Sequence, residues 1–203
     1  MPNDVAGNLL IEQGAFPPYT EATRTGNGWF LPTVVTGFAP VAAVPTTTAA
    51  QEIYNNTPGL VLAIDTLHAF QLLSTAATQT YSLWGMVTTQ KAAPTNGAQV
   101  IFSNSGRSSY TTVAGGRILT AAGTTVVANG WRPFGSVQAW GTAAATPGNG
   151  WHAEVNGRIL VPYGCSFCFT VAGSVATAAS FVAGVSWYEI GVAVGTAANL
   201  AMV

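Results

Sequence analysis

The sequence predicts an all-β fold, an antiparallel β-sandwich of jelly-roll type with an extended N-terminal arm, and three observations carry that prediction. No window holds a sustained helical stripe; short β-branched and aromatic runs alternate with clusters of Gly, Pro, Asn, Ser and Thr. These runs recur at roughly 8 to 12 residues, the strand spacing of sandwiches and barrels. Five Asn-Gly steps, Asn27-Gly28, Asn96-Gly97, Asn129-Gly130, Asn149-Gly150 and Asn156-Gly157, suit the positive φ of tight hairpin turns.

Residues 1–28 are the odd segment. They carry Asp4, Glu12, Glu21, Arg24 and the Pro17-Pro18 pair without a β pattern, and read as an extended arm. The sandwich domain is placed at 29–203, a length that one all-β domain accommodates. Short strands follow at 29–31, 33–35 and 41–44, cut by Pro32, Pro40 and Pro45, since proline belongs at strand ends and edges. A turn of helix is expected within 46–55. Clearer strands are expected over 59–64, 69–73, 81–88, 98–102, 117–119, 124–127 and 137–140. A further set covers 154–155, 159–161, 166–171, 181–188 and 190–194, with a hairpin at Asn156-Gly157 joining 151–155 to 158–161. Two stretches share one layout, a strand, an Ala/Ser/Thr bend and an aromatic strand: 70–85 and 167–187. Two such pairs bring four strands into facing sheets, as in a Greek-key or jelly-roll sandwich.

Composition narrows function. Charged residues make up 6% of the chain, against about 25% in ordinary soluble domains. Ala, Thr and Gly fill 82 of 203 positions, and the net charge is −1. Such a surface offers no field for phosphates, so nucleic acid is excluded as a main partner. Near-zero charge favours association, and the chain is expected to live in an assembly. The charge-free stretch 159–188 is interrupted by Pro162, Gly164, Gly173 and Gly184, unlike a bilayer span. The start Met1-Pro2-Asn3-Asp4 lacks a basic, apolar export signal, so synthesis in a cytosol is expected.

Chemistry-bearing constellations are few. Cys165 and Cys168 form a C-x-x-C inside a strand-like run, where positions three apart face opposite ways, and read as two semi-buried thiols. A zinc site would have to add His68 and His152, with no finger-like spacing. Asp65 and His68 read as a turn held by side-chain hydrogen bonds, since no nucleophile elbow accompanies them. Glu154 and Glu189 are the one conceivable glycosidase pair, but Glu189 within a strand reads as an outward carboxylate or an intersubunit salt bridge to an Arg. No catalytic residue, cofactor or metal site is therefore expected. Trp84 and Trp187, within strands, are expected to bury their rings. Trp131 and Trp151 sit in loop contexts beside Arg132 and His152 and are the better interface or glycan-stacking candidates. Five arginines against the single Lys91 fit desolvated contacts better than a solvated face.

A neutral, Ala/Thr/Gly-rich all-β chain that keeps Met1 and closes with Val161-Pro162-Tyr163-Gly164 and the 181–189 strand resembles the small virion proteins of tailed bacteriophages. The likeness is one of composition and layout over 60–203. It implies a jelly-roll or immunoglobulin-like sandwich that decorates or reinforces a capsid or builds head and tail fibres, often as a trimer. No residue role carries over.

The sequence thus points to a non-enzymatic virion component whose partners are copies of itself and other virion proteins, with a carbohydrate- or receptor-binding module as the alternative. The interface candidates are Trp131, Arg132, Trp151, Arg117 and Arg158. The last two belong to a Gly-Arg-Ile-Leu that occurs at 116–119 and again at 157–160. Alternation puts Arg and Leu on one face and Ile on the other, and the statistics of Arg burial favour Arg outward beside an exposed Leu.

Overall fold

The computed structural model describes residues 18–32, 37–47, 49–73, 80–89, 103–104, 130–137, 150–173 and 179–191. One helix, α1 (Pro18–Thr25), precedes nine strands: β1 (Gly28–Pro32), β2 (Gln51–Tyr54), β3 (Leu60–Leu73), β4 (Tyr81–Thr88), β5 (Ser103–Asn104), β6 (Arg132–Val137), β7 (Gly150–Val161), β8 (Ser166–Gly173) and β9 (Ser180–Gly191). They form an antiparallel sandwich with sheets β5-β1-β9-β3-β7 and β2-β8-β4-β6. The pairings nest: β1 with β9, β2 with β8, β3 with β7 and β4 with β6. The chain therefore doubles back as one long ribbon of strand pairs. The ladders β3–β9 and β4–β8 roll that ribbon into two layers.

Alternation within each strand sends one set of side chains into the space between the sheets. Trp29, Leu62, Ile64, Leu67, Phe181, Val185 and Trp187 from the five-stranded sheet meet Ile53, Leu83, Phe167, Phe169 and Val171 from the other. The rings of Tyr81 and Phe181 meet edge to face at 4.7 Å, the arrangement that ring quadrupoles favour. Buried Asn55 ties the turn together at one end. Its amide donates to the carbonyls of Leu60 and Val161, while its carbonyl oxygen accepts from the Thr57 N–H.

Several expectations change. Residues 18–25 are helical, not an extended arm: Pro18 stands in the first turn, and Gly26 at φ 85° ends the helix. The Gly26 N–H donates to the Thr23 carbonyl and the Asn27 N–H to that of Ala22, which satisfies the helix end. The helix packs on β1 and β9, and the absent side chain of Gly28 admits Thr23. Within 46–55 the structure has strand β2, because pairing with β8 and burial of all four residues outweigh local preference. Residues 41–44 make one bridge, Val41 to Ala172, followed by bends, not a strand. The strand expected at 137–140 begins earlier, at Arg132, and its described part ends at Val137.

Asn156-Gly157 is not a hairpin. Strand β7 runs straight through it, and residues 155–158 bulge opposite the single Asp65, between the pairs Ile64–Ile159 and Thr66–Glu154. The two left-handed residues, Asn156 at φ 53° and Gly157 at φ 73°, take up the extra chain length. Likewise 59–64 and 69–73 join into β3, so Asp65 and His68 lie mid-strand, not at a turn. The strands expected at 33–35, 98–102, 117–119 and 124–127 lie outside the described residues, as do residues 1–17.

Candidate functional site

The two outer faces of the sandwich differ, and the difference locates the candidate site. On the four-stranded sheet the outward residues Glu52, Ser166, Cys168, Thr170, Met86 and Thr88 are buried, while Ser82 and Trp84, whose ring was expected to be buried, are half-buried. Ala49 and Trp131 pack over Cys168 and Met86, and the Trp131 indole N–H donates to the Thr46 carbonyl at 2.8 Å. Trp131, a glycan-stacking or interface candidate in the sequence, is half-buried, with its ring packed on the fold's own sheet. Burial pushes the Glu52 carboxyl up, and it pushes the neighbouring Cys168 thiol well up, reinforced by the charge of Glu52. Both cysteines are free and buried, and a thiol so suppressed is a poor nucleophile.

The five-stranded sheet is more open, although Val61, Ala63 and Ser186 on its outer side are buried and α1 lies against its Gly28 end. Phe70, Leu73 and Leu160 keep 41%, 43% and 41% of their surface exposed and Ile190 keeps 37%. Register places Phe70, Leu160 and Ile190 on the side away from the core, together with Phe30, Thr66, His68, His152 and Glu154. Arg158 is exposed beside Leu160 while Ile159 packs against the core, the outward arrangement expected of the Gly-Arg-Ile-Leu strand. Arg117 lies outside the described residues, and of Trp151 only its backbone place opposite Ala69 is described. Arg132 is exposed in β6, on the other sheet from Arg158, so the sequence candidates do not gather in one patch.

The ring of His68 stacks on Phe30 at 4.8 Å and 14°. Between their strands runs β9, which offers Gly184 opposite His68 and so no side chain to part the rings. Burial, and then the neighbouring His152, lower the basicity of His68. Around the bulge, Asp65 accepts from the Thr66 hydroxyl, and its carboxyl is pushed up by burial with a smaller contribution from Glu154. The Tyr188 hydroxyl sits against the bare Cα of Gly157.

Glu154 and Glu189 do not form a glycosidase pair. Glu154 is exposed on the outer face, whereas Glu189 follows Trp187 by two residues and points inward with it. The inward position corrects the outward carboxylate expected from sequence: the Glu189 carboxyl meets the indoles of Trp29 and Trp187. Burial pushes it up to about 7, although both indole N–H groups favour its ionised form. The cysteines and histidines cannot share a zinc ion either, because Cys168 faces outward on one sheet and His68 and His152 outward on the other. Sheets pack about 10 Å apart, well beyond any common ligand sphere. Among the described residues no group of three His, Cys, Asp or Glu could hold a metal, and no helix is long and apolar enough to cross a membrane.

No known protein family, curated protein or solved structure matches the chain.

Proposed function

We propose that the chain is a non-enzymatic structural component of a bacteriophage virion that works by packing against copies of itself or against other virion proteins. The observation that carries this reading is the asymmetry of the sandwich: one outer face largely covered by the chain's own residues, the other presenting Phe70, Leu160, Ile190 and Arg158. Apolar side chains beside a guanidinium group suit a surface that becomes buried on assembly. In a chain with 6% charged residues, little else on the surface opposes association.

The strand order supports the virion reading at the level of fold. The nested pairs in the sheets β1-β9-β3-β7 and β2-β8-β4-β6 support a jelly-roll reading, a plan that recurs in viral capsid domains, lectins and cupins. Fold alone leaves those apart. For the carbohydrate-binding alternative, Trp131 is half-buried, with its indole N–H on the Thr46 carbonyl and its ring against the Met86 cluster.

The test is electron microscopy of the purified chain, with antibody labelling of phage particles from its source. Regular oligomers and labelled particles are the expected result; a dispersed monomer and unlabelled particles would overturn the proposal.

A further inference from the structure

Strand β7 forms one border of the five-stranded sheet, with β3 on one side and, among the described residues, no strand on the other. A free edge of 12 residues invites pairing with a further chain, but the bulge at Asn156-Gly157 interrupts any continuous ladder along it. Side chains must therefore select what lies alongside. The exposed ones are His152, Glu154, Asn156, Arg158 and Leu160.

That row is self-complementary. Reversed end over end about Asn156, it exchanges Glu154 with Arg158 and His152 with Leu160. Neither charge is neutralised within the subunit. The Glu154 carboxylate accepts only a long hydrogen bond, 3.4 Å, from the Asn156 amide, and Arg158 has no side-chain partner among the described residues. Asp65, the carboxylate opposite the bulge, is half-buried and engaged by the Thr66 hydroxyl. In a chain with 6% charged residues, an exposed acid and an exposed base on one strand can set the register of an association, because charge complementarity fixes orientation and partner more than raw affinity. A two-fold contact uses the same patch on both subunits, and an acid and a base placed symmetrically about one residue satisfy it; a foreign partner would require no such symmetry.

We propose that β7 is a contact between two copies of this chain, lying antiparallel across a two-fold axis beside Asn156, so that Glu154 of each copy meets Arg158 of the partner subunit. Leu160 carries the contact from this border onto the open face. The partner at this border is thereby a second copy, which rests on the assembly reading above.

Sedimentation velocity of the full chain, of Glu154→Arg, of Arg158→Glu and of an equimolar mixture of the two variants tests it. Both positions are exposed, so subunit folding should be unchanged. Each variant alone sets like charges together at both ends of the two-fold contact, and its association is expected to weaken at least about tenfold. In the mixture the two arginines of one chain face the two glutamates of the other, and a one-to-one dimer is expected to re-form at least about tenfold more tightly than either variant associates alone. Variants that associate as tightly as the original, or a mixture that gains nothing over its components, would overturn this contact while leaving assembly through the rest of the open face standing. An original chain that stays monomeric would overturn it as well, and particle labelling would then decide the assembly reading separately.

Discussion

Replacing Glu189 with Gln isolates the energetic consequence of an acid placed among indoles. In the folded chain burial pushes the Glu189 carboxyl up to about 7, from an ordinary value of 4.5. Between those two values the folded state holds a proton that the unfolded state has released. Stability tied to this group is therefore fully present below about pH 4.5 and is lost as pH rises through 7. The gap corresponds to a ceiling of about 3 kcal/mol, and the partial exposure of the side chain trims it to about 2. Gln keeps the shape of the side chain and has no proton to lose. Glu52 and Asp65, also raised, act in the same direction, and His68, lowered, acts in the opposite one. All three cancel when the two chains are subtracted. Urea unfolding from pH 4 to 9 is then expected to show the Glu189→Gln chain gaining on the original by about 2 kcal/mol between pH 5 and pH 8. A difference that stays flat across that range, or that moves the other way, would refute the placement of this carboxyl.

Three further outcomes are expected. Phe181→Ala empties the centre of the core against Tyr81 and should cost about 3–5 kcal/mol in equilibrium unfolding. Gly157→Ala forces an alanine into the left-handed region and against the Tyr188 hydroxyl; a loss of about 1–2 kcal/mol is expected, with Tyr188 fluorescence or its NMR signals displaced. Trp131→Phe keeps most of the cover over Cys168 and Met86 but removes the indole donor to Thr46. It should cost about 1 kcal/mol and speed labelling of Cys168 by a thiol reagent.

Strand identity was legible wherever alternation was strong. The run Tyr81–Thr88 is one strand with the bounds its sequence implies, since Tyr81, Leu83 and Val87 alternate onto the core face. The all-β sandwich followed from such runs. What failed were the interruptions. Asn156-Gly157 supplies positive φ, and both a hairpin and a bulge need it; only the partner strand, with Asp65 opposite, decides between them. Asp65 and His68 resembled a turn because the outer face of β3 admits polar residues, which breaks the hydrophobic pattern without breaking the strand. The α1 helix did carry signals, Pro18 at its start and Gly26 at its end, but eight residues are too few for a visible apolar stripe. The inward direction of Glu189 was readable in principle, because it stands two residues from Trp187, whose burial was expected. The His68–His152 pair was not, since it depends on the register between strands far apart in sequence.

The central claim is that the open face of the five-stranded sheet is covered by another protein subunit. Sedimentation equilibrium of the chain against a Phe70→Ser, Leu160→Ser double variant tests it most directly. Both side chains stand about 41% exposed, so their loss should cost subunit stability about 1 kcal/mol each. The account predicts an oligomer for the original chain and a folded monomer for the variant, with unfolding shifted by no more than that sum. A stable monomer at high concentration for the original chain, or an oligomer that survives both substitutions, would contradict it.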